Sequence, residues 1–242
     1  TLNGLTMPKP DHLHLPAINN DKPLYELLEK ISHYYKQQLR NHPQAQVAID
    51  YLKKRGLNGE TAAEYELGYA PPGWQTLSKA FGHNEKMITK LIEAGLLIEK
   101  TDNSYDRFRN RIMFPIRDKR GRTIGFGGRV LGDDSPKYLN SPETRVFHKS
   151  QQLYGLYQAR KNLKTLSKIL VVEGYMDVVA LAQFDVKYAV ATMGTAISAK
   201  HLSELYRHSK HIIFCFDGDQ AGRNAAWKAL ETCIDTLQDD QQ

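Results

Sequence analysis

Residues 169–177 read Ile-Leu-Val-Val-Glu-Gly-Tyr-Met-Asp, and residues 212–219 read Ile-Ile-Phe-Cys-Phe-Asp-Gly-Asp. Each stretch is a short apolar run that ends in glycine and acidic residues. Such a run predicts a strand that is buried on both faces of a parallel sheet. Because an open parallel sheet carries its chemistry at the carboxyl ends of its strands, we expect the acidic residues of both stretches to converge at one edge.

Four carboxylates follow these two predicted strands: Glu173, Asp177, Asp217 and Asp219. Carboxylates brought this close repel one another unless a cation neutralises them, and oxygen ligands without Cys or His favour Mg²⁺ over zinc. The sequence therefore predicts a magnesium site and, with it, phosphate chemistry. Two of the four have alternative roles: Asp177 could stabilise the N-terminus of the following helix, and Asp219 could cap the helix that it precedes.

The segment from residue 168 onwards alternates strictly between strands and helices, which predicts a parallel sheet with right-handed crossovers. The predicted strands are 169–172, 187–192 and 211–216, and the predicted helices are 175–184, 198–208 and 220–237. We therefore predict an α/β chain whose second domain is a parallel sheet with flanking helices at 168–242.

The preceding segment, 21–167, is predicted to be a mostly helical subdomain with a small β-sheet. Two strands, 111–117 and 122–131, are joined by the turn Asp-Lys-Arg-Gly at 118–121. Helical spacing of apolar residues predicts helices at 22–40, 43–55, 59–66, 75–82, 84–94 and 151–165. Residues 68–73 are interpreted as a turn cluster, and residues 1–20, which contain three prolines, as a linker or tail.

The composition is that of an ordinary globular protein, with 41% hydrophobic and 25% charged residues. No apolar run approaches the roughly 18 residues that a membrane span needs, and no secretory signal is visible. The two cysteines, Cys215 and Cys233, have no close partner in the sequence, which favours a reducing, cytoplasmic setting. We expect neither a membrane association nor a zinc site.

Positive charge is concentrated between Arg107 and Lys149. This segment contains eleven Lys or Arg and four Asp or Glu, a net charge of +7, whereas the whole chain carries +6. A basic surface attracts polyanions through counterion release, independent of their sequence. A solvated basic hairpin is the alternative, but the interleaved glycine and aromatic residues favour nucleic-acid binding.

Other motifs with similar acidic patterns fit less well. An EF-hand loop starting at Asp217 would need oxygen ligands at its fifth and twelfth positions, which are Ala221 and Lys228. An aspartyl-phosphate phosphatase also has Asp-x-Asp after a strand, but Thr or Val normally follows two residues on, and Glu173 would have no role. This alternative stays open. No Gly-Lys dipeptide occurs, so there is no P-loop.

The acidic pair in residues 171–177 and 216–222 resembles the Toprim fold, which topoisomerases, primases, some nucleases and recombination-mediator proteins share. The basic region narrows this resemblance to bacterial, DnaG-type DNA primases, whose polymerase-basic region reads like the Arg-Phe-Arg-Asn-Arg-Ile-Met-Phe-Pro-Ile found here. The matching segments outside the acidic pair are 51–57, 67–71, 107–116, 125–130 and 136–144. The resemblance extends over nearly the whole chain.

We expect the chain to depart from that family in three respects. The zinc-ribbon domain that would precede the catalytic core and the helicase-binding domain that would follow it are expected to be absent. The third acidic motif, Asp-Pro-Asp on the next Toprim strand, is expected beyond residue 242. We therefore expect a core with a C-terminally truncated Toprim domain, an incomplete metal site and weak or no activity.

The resemblance implies synthesis of short RNA primers on single-stranded DNA from ribonucleoside triphosphates, with Mg²⁺ or Mn²⁺. Glu173, Asp217 and Asp219 would be the catalytic, metal-holding residues, with Asp177 as a further ligand. A replicative helicase and single-stranded DNA-binding protein would be partners of the full-length protein. We expect a monomer in the bacterial cytoplasm, at replication forks on the nucleoid.

The basic residues would bind nucleotide and template. Lys137 and Arg129 are the main candidates for phosphate contacts, and Asn140 would orient a phosphate or sugar. Three arginines, 107, 109 and 111, alternate along a segment expected to be extended, so they should project on one face and follow a DNA backbone. Tyr138 and Phe126 are candidate stacking surfaces for bases.

Other aromatic residues are interpreted as packing residues. They are Trp74, Trp227 and the tyrosines at 25, 34, 35, 51, 65 and 69.

Two rival functions remain: a Toprim nuclease or topoisomerase subunit, and a non-catalytic scaffold that binds single-stranded DNA. Retention of the Glu and both Asp argues against a decayed site, because clustered carboxylates without a metal are costly.

Overall fold

The computed structural model describes residues 21–101, 103–194, 196–237, 239 and 241. The predicted tail at 1–20 lies outside these residues. Within them, no helix is both long enough and apolar enough to cross a membrane. The fold is the predicted mixed α/β architecture, with a helical region, a small antiparallel sheet and a three-stranded parallel sheet.

Five helices form the N-terminal region: α1 (Lys22–Asn41), α2 (Ala45–Lys54), α3 (Gly59–Glu64), α4 (Thr76–Phe81) and α5 (Glu85–Glu93). Two of them begin at an asparagine whose side chain accepts a hydrogen bond from the third helical residue: Asn58 caps α3 and Asn84 caps α5. Helix α1 is amphipathic, and its buried face includes Leu24, Leu28 and Ile31. This face packs on the antiparallel sheet.

The antiparallel sheet has the order β1-β4-β5-β6. Its strands are β1 (Gly68–Ala70), β4 (Arg111–Arg117), β5 (Thr123–Val130) and β6 (Tyr138–Asn140), and a separate hairpin pairs β2 (Leu97–Lys100) with β3 (Asn103–Asp106). The prediction of β4 and β5 is confirmed. All eight residues of β5 are buried, which requires cover on both faces of the sheet.

Side chains alternate between the two faces of a strand, so the contacts of neighbouring residues show which elements pack on each face of the sheet. On one face Phe126 contacts Tyr35 of α1, with ring centroids 5.5 Å apart. On the other face Phe114 stacks on Tyr175, which begins the first helix of the parallel domain, at 5.5 Å and 22°. The antiparallel sheet therefore lies between α1 and the parallel domain.

The parallel domain has the sheet order β8-β7-β9. Its elements are α6 (Leu156–Asn162), β7 (Ile169–Val172), α7 (Tyr175–Gln183), β8 (Ala189–Ala191), α8 (Ala199–Tyr206), β9 (Ile212–Phe214) and α9 (Gln220–Ile234). Both β8 and β9 pair with β7 in parallel, as predicted. The central strand β7 is largely buried, because Ile169, Val171 and Val172 pack into the core.

Several local predictions were wrong. Strand β9 lies at a sheet edge rather than between two neighbours, so Ile213 is 44% exposed and Cys215 is exposed. The helix predicted at 151–165 is shorter, because a 3₁₀ turn at Lys149–Gln151 and a left-handed Gly155 delay its start to Leu156. Part of the predicted turn cluster is strand β1, which pairs with β4.

Candidate active site

The ends of β7 and β9 bring Glu173 and Asp217 together, as the sequence predicted. The backbone N–H of Asp217 donates to Glu173 Oε1 at 2.9 Å. Gly222, in the first turn of α9, packs against both, because a Cβ there would lie 2.1 Å from the carbonyl oxygen of Asp217 and 2.8 Å from Glu173 Oε1. Only glycine fits at this position, and the missing side chain lets α9 pack closely against the ends of both strands.

The other two acidic residues cap helices. Asp219 Oδ1 accepts the N–H of Gly222 at 2.8 Å and caps α9, and Asp177 Oδ2 accepts the N–H of Gly174 at 3.0 Å at the start of α7. Desolvation by the surrounding protein raises the pKa of Asp177, the hydrogen bond from Gly174 opposes this, and the charges of Asp217 and Glu173 raise it further. The helix-capping role of Asp177 is confirmed, and its role as a metal ligand stays a prediction.

The metal prediction finds partial support in this arrangement. All candidate donors are carboxylate oxygens, and their mutual repulsion acts on Asp177, which suits a hard divalent cation. However, no three His, Cys, Asp or Glu side chains within the described residues are grouped closely enough to hold a metal ion. The chemical type of the donors therefore fits Mg²⁺, whereas the predicted cluster of three or four ligands is not formed.

The β5–β6 edge of the antiparallel sheet faces this acidic edge. The register pairs Gly127 with Asn140 and Arg129 with Tyr138, so Arg129, Tyr138 and Asn140 project from the same face. A Cβ on Gly127 would lie 2.5 Å from the Tyr175 ring, which shows that this face is directed at the parallel domain. Basic and acidic candidate residues therefore lie on opposite sides of one interface.

Asn140 bridges this interface instead of presenting a free amide. Its Oδ1 accepts a hydrogen bond from the hydroxyl of Tyr175, and its Nδ2 donates to the carbonyl of Met193 at 2.8 Å. Tyr175 lies between Glu173 and Asp177 in the sequence. Asn140 thus links β6 to the acidic segment and to the loop after β8, and the contact of its side chain with a phosphate or sugar stays a prediction.

Arg129 lies in an aromatic environment. It is only 7% exposed, and its Cζ lies 5.2 Å from the ring centroid of Tyr138 and 5.5 Å from that of Tyr51. Arg55 Cζ lies 5.4 Å from the same Tyr51 ring. Its positive charge partly opposes the rise in the pKa of Asp177. Sequence reasoning missed Tyr51 and Arg55, although the segment 51–57 was among the matching motifs.

The three arginines at 107, 109 and 111 do not share one extended face. Asn110 adopts a left-handed conformation with φ of 49°, and strand β4 begins only at Arg111. Arg107 is half-buried, and burial lowers its pKa. Arg111 is buried against Gly128, whose carbonyl accepts from its Nη1 at 3.2 Å, on the face opposite Arg129.

Arg109 contacts an aromatic residue that was assigned to the core. Its Cζ lies 4.1 Å from the Trp74 ring centroid, and its Nη1 donates to the carbonyl of Asp106. Trp74 is 63% exposed and Trp227 is 64% exposed, so their prediction as packing residues was wrong. Phe126 is fully buried, which excludes its predicted role as a stacking surface.

Much of the basic segment is engaged in ion pairs. Arg117 contacts Glu29 at 3.2 Å and also Glu66, and Lys119 contacts Glu204 at 2.6 Å. Further pairs join Arg122 to Asp118 at 2.7 Å and Arg145 to Glu93 at 3.3 Å. Lys137, in contrast, is exposed. The net charge of +7 therefore overstates the positive surface, to which the exposed Lys137 contributes, whereas Arg129 is buried.

A parallel sheet with Glu at the end of one strand and Asp-x-Asp after its neighbour defines a Toprim protein, and the Toprim domain model matches residues 167–240. The model of the DNA primase catalytic core, N-terminal domain, matches residues 34–160, more than half of the chain. The chain belongs to the family of DnaG-type DNA primase catalytic cores.

Similar proteins and structures agree. The chain is 59% identical over 226 residues to a DNA primase of Pseudomonas putida, covering 93% of this chain and 34% of that protein. A crystal structure of a DNA primase domain from Pseudomonas aeruginosa superposes with a TM-score of 0.88 at 58% identity, covering 90% of this chain and 69% of that one. A DnaG primase catalytic domain bound to ssDNA gives 0.87 at 54% identity, covering 91% and 69%. The chain spans about a third of the length of the curated relatives that it matches.

Proposed function

We propose that this chain carries the catalytic core of a DNA primase, which makes short RNA primers on single-stranded DNA. The observation that supports this most directly is the interface between the Arg129–Tyr138 face and the acidic edge at Glu173 and Asp217. Phosphoryl transfer depends mainly on positioning and on neutralising charge. An acidic metal site opposite a fixed cationic group supplies both.

In this proposal Glu173, Asp217 and Asp219 would each supply carboxylate oxygens to Mg²⁺ or Mn²⁺, although no three of the described side chains are grouped closely enough to hold the ion by themselves, and Asp177 adds negative charge. A bound divalent cation would lower the barrier for attack of the primer 3′-hydroxyl on the α-phosphate of the incoming ribonucleotide. Gly222 keeps Glu173 and Asp217 close together, whatever ion they bind.

The cationic side chains bind the substrate phosphates in this proposal. Arg129 and Lys137 contact the triphosphate or the template backbone, and Arg55 extends this surface towards Asp177. Tyr138, which is 40% exposed, presents a ring on which a base can stack. Arg109 and the exposed Trp74 form a cation–aromatic pair suited to single-stranded DNA. The similar DnaG primase catalytic domain bound to ssDNA supports template binding by this core.

We also propose a cellular setting, the bacterial cytoplasm at replication forks on the nucleoid. There the full-length protein would meet the replicative helicase and single-stranded DNA-binding protein. We propose these as the partners of the whole protein, with no membrane association. For this chain we propose a monomer.

A gel assay with single-stranded DNA, labelled ribonucleotides and Mg²⁺ or Mn²⁺ tests the proposal, with Asp217→Asn/Asp219→Asn as the inactive control. Because the predicted group of three or four ligands is not formed in the described residues, we expect at most weak synthesis of short RNA by the wild-type chain and none by the control, while both bind the DNA. Cut DNA in place of RNA would favour a nuclease. If the wild-type chain binds DNA without any product, the assay is repeated with the full-length protein, and absence of RNA there would favour the non-catalytic scaffold.

A further inference from the structure

Tyr51 on α2 contacts two guanidinium groups with a single ring. Arg55 Cζ lies 5.4 Å and Arg129 Cζ 5.5 Å from its centroid. Arg55 belongs to the end of α2, whereas Arg129 comes from strand β5 of the antiparallel sheet. One tyrosine therefore connects cationic groups from two separate elements at the interface with the parallel domain.

These guanidinium groups are held by aromatic faces and not by carboxylates. The nearest contacts of Arg129 Nη1 are the carbonyl oxygens of Val130 at 3.3 Å and Lys137 at 3.5 Å, and its Nε is buried without a partner. In the part of the chain that the structure describes, no salt bridge joins Arg129 or Arg55 to an acid.

The difference matters because a carboxylate partner would cancel the positive charge that an anion needs. An aromatic ring instead contacts the flat face of a guanidinium and leaves its charge uncancelled. In Arg129, whose Nη1 already donates to two carbonyls and whose Nε is buried, Nη2 is the group left to donate to a phosphate. The tyrosine hydroxyl is not part of this function, because Tyr51 Oη is buried and has no hydrogen-bond partner.

We propose that Tyr51 is a positioning residue whose ring orients Arg129 and Arg55 to bind phosphate groups. This inference rests on the proposed function, since the phosphates would be those of the nucleotide or of the template backbone. The ring is the active element, so phenylalanine should replace tyrosine without loss, whereas an aliphatic side chain of similar size should not.

The test compares Tyr51→Leu with Tyr51→Phe and with a matched control, Tyr34→Leu. Tyr34 is also a partly buried helical tyrosine, but its ring contacts Tyr35 at 5.6 Å and Phe81 at 5.3 Å. The probes are inorganic tripolyphosphate, measured by titration calorimetry, and a fluorescein-labelled 12-nucleotide single-stranded DNA, measured by anisotropy. Melting temperature is recorded for every variant.

We expect Tyr51→Leu to weaken binding of one or both probes about tenfold, equivalent to about 1.4 kcal/mol, and Tyr51→Phe to stay within about twofold of the wild type. Tyr34→Leu should lower the melting temperature without changing either affinity. Loss confined to tripolyphosphate would assign the site to the nucleotide, and loss confined to DNA would assign it to the template.

Wild-type affinity in a folded Tyr51→Leu variant, or equal losses in Tyr34→Leu, would overturn the inference. If Tyr51→Leu does not fold, Tyr51→Met and Tyr51→Trp replace it, and binding retained only by the tryptophan variant supports the role of the ring. The assay for RNA synthesis is independent: wild-type RNA synthesis with unaltered binding by Tyr51→Leu rejects this inference alone. Absence of RNA from the full-length protein together with the expected binding pattern rejects the proposed function alone.

Discussion

Replacing Gly127 by alanine would make a methyl group clash with the ring of Tyr175. The new Cβ would lie 2.5 Å from Cε2 and 2.7 Å from Cζ of that ring, where ordinary contacts are 3.4–4 Å. The ring has little room to move, because it stacks on Phe114, contacts Tyr154 at 4.9 Å and donates its hydroxyl hydrogen to Asn140. The substitution must therefore move the start of α7 or separate the two domains.

Overpacking of a filled core costs about 1–3 kcal/mol. For a chain of this length each kcal/mol lowers the melting temperature by about 2–4 °C. We therefore expect Gly127→Ala to lose about 2 kcal/mol and to melt about 4–8 °C lower than the wild type. RNA synthesis should also fall, since Tyr175 lies between Glu173 and Asp177.

Urea denaturation of Gly127→Ala, followed by circular dichroism, measures this loss against Gly59→Ala. Gly59 begins α3 and has no atom within 4 Å of the position of a Cβ, so alanine there should be neutral or slightly stabilising. In a Tyr175→Leu background the obstructing ring is gone, and Gly127→Ala should cost clearly less than in the wild type. Equal stabilities of the two glycine variants would refute the reasoning.

Two further predictions concern charge. Burial raises the pKa of Glu29, but hydrogen bonds from Arg117 and Thr123 and the charge of Arg117 outweigh this, so its pKa in the folded chain is lowered. The ionised Glu29 therefore stabilises the fold above the pKa of about 4.3 that it has in the unfolded chain, and this stabilisation is lost as pH falls through its lower pKa in the folded chain. The difference in stability between the wild type and Glu29→Gln, measured by urea denaturation, should shrink below about pH 4. Replacing Arg129 and Lys137 by Ala should weaken binding of single-stranded DNA. It should also reduce the slope of the logarithm of the binding constant against the logarithm of the salt concentration by about 1.4. An unchanged slope in anisotropy titrations would contradict the assignment of these two residues to phosphate contacts.

The parts of the fold that depend on local patterns were predictable from the sequence. The β4–β5 pair follows from two apolar runs joined by Asp-Lys-Arg-Gly, and the parallel sheet follows from strict alternation of strands and helices. The meeting of Glu173 with Asp217 was also predictable, because both follow strands of one parallel sheet. In each case the signal lies within a few residues of the element that it specifies.

Features that depend on distant partners were not predictable. The exposure of β9 depends on which strands flank it, and nothing in residues 211–216 records that. The extended geometry expected for the arginine segment failed at Asn110, a single left-handed residue. Tyr51 was taken for a packing residue because its cationic neighbour Arg129 is 78 positions away; only the folded chain brings the two together.

Burial of the antiparallel sheet on both faces restricts how the two domains can evolve. One face is completed by α1 and the other by Tyr175, a residue of the parallel domain. A Toprim domain taken from another protein would therefore leave half of this sheet uncovered unless it brought an aromatic ring to the same place. Exchange of whole domains is disfavoured, and paired substitutions across the interface are the accessible route for change.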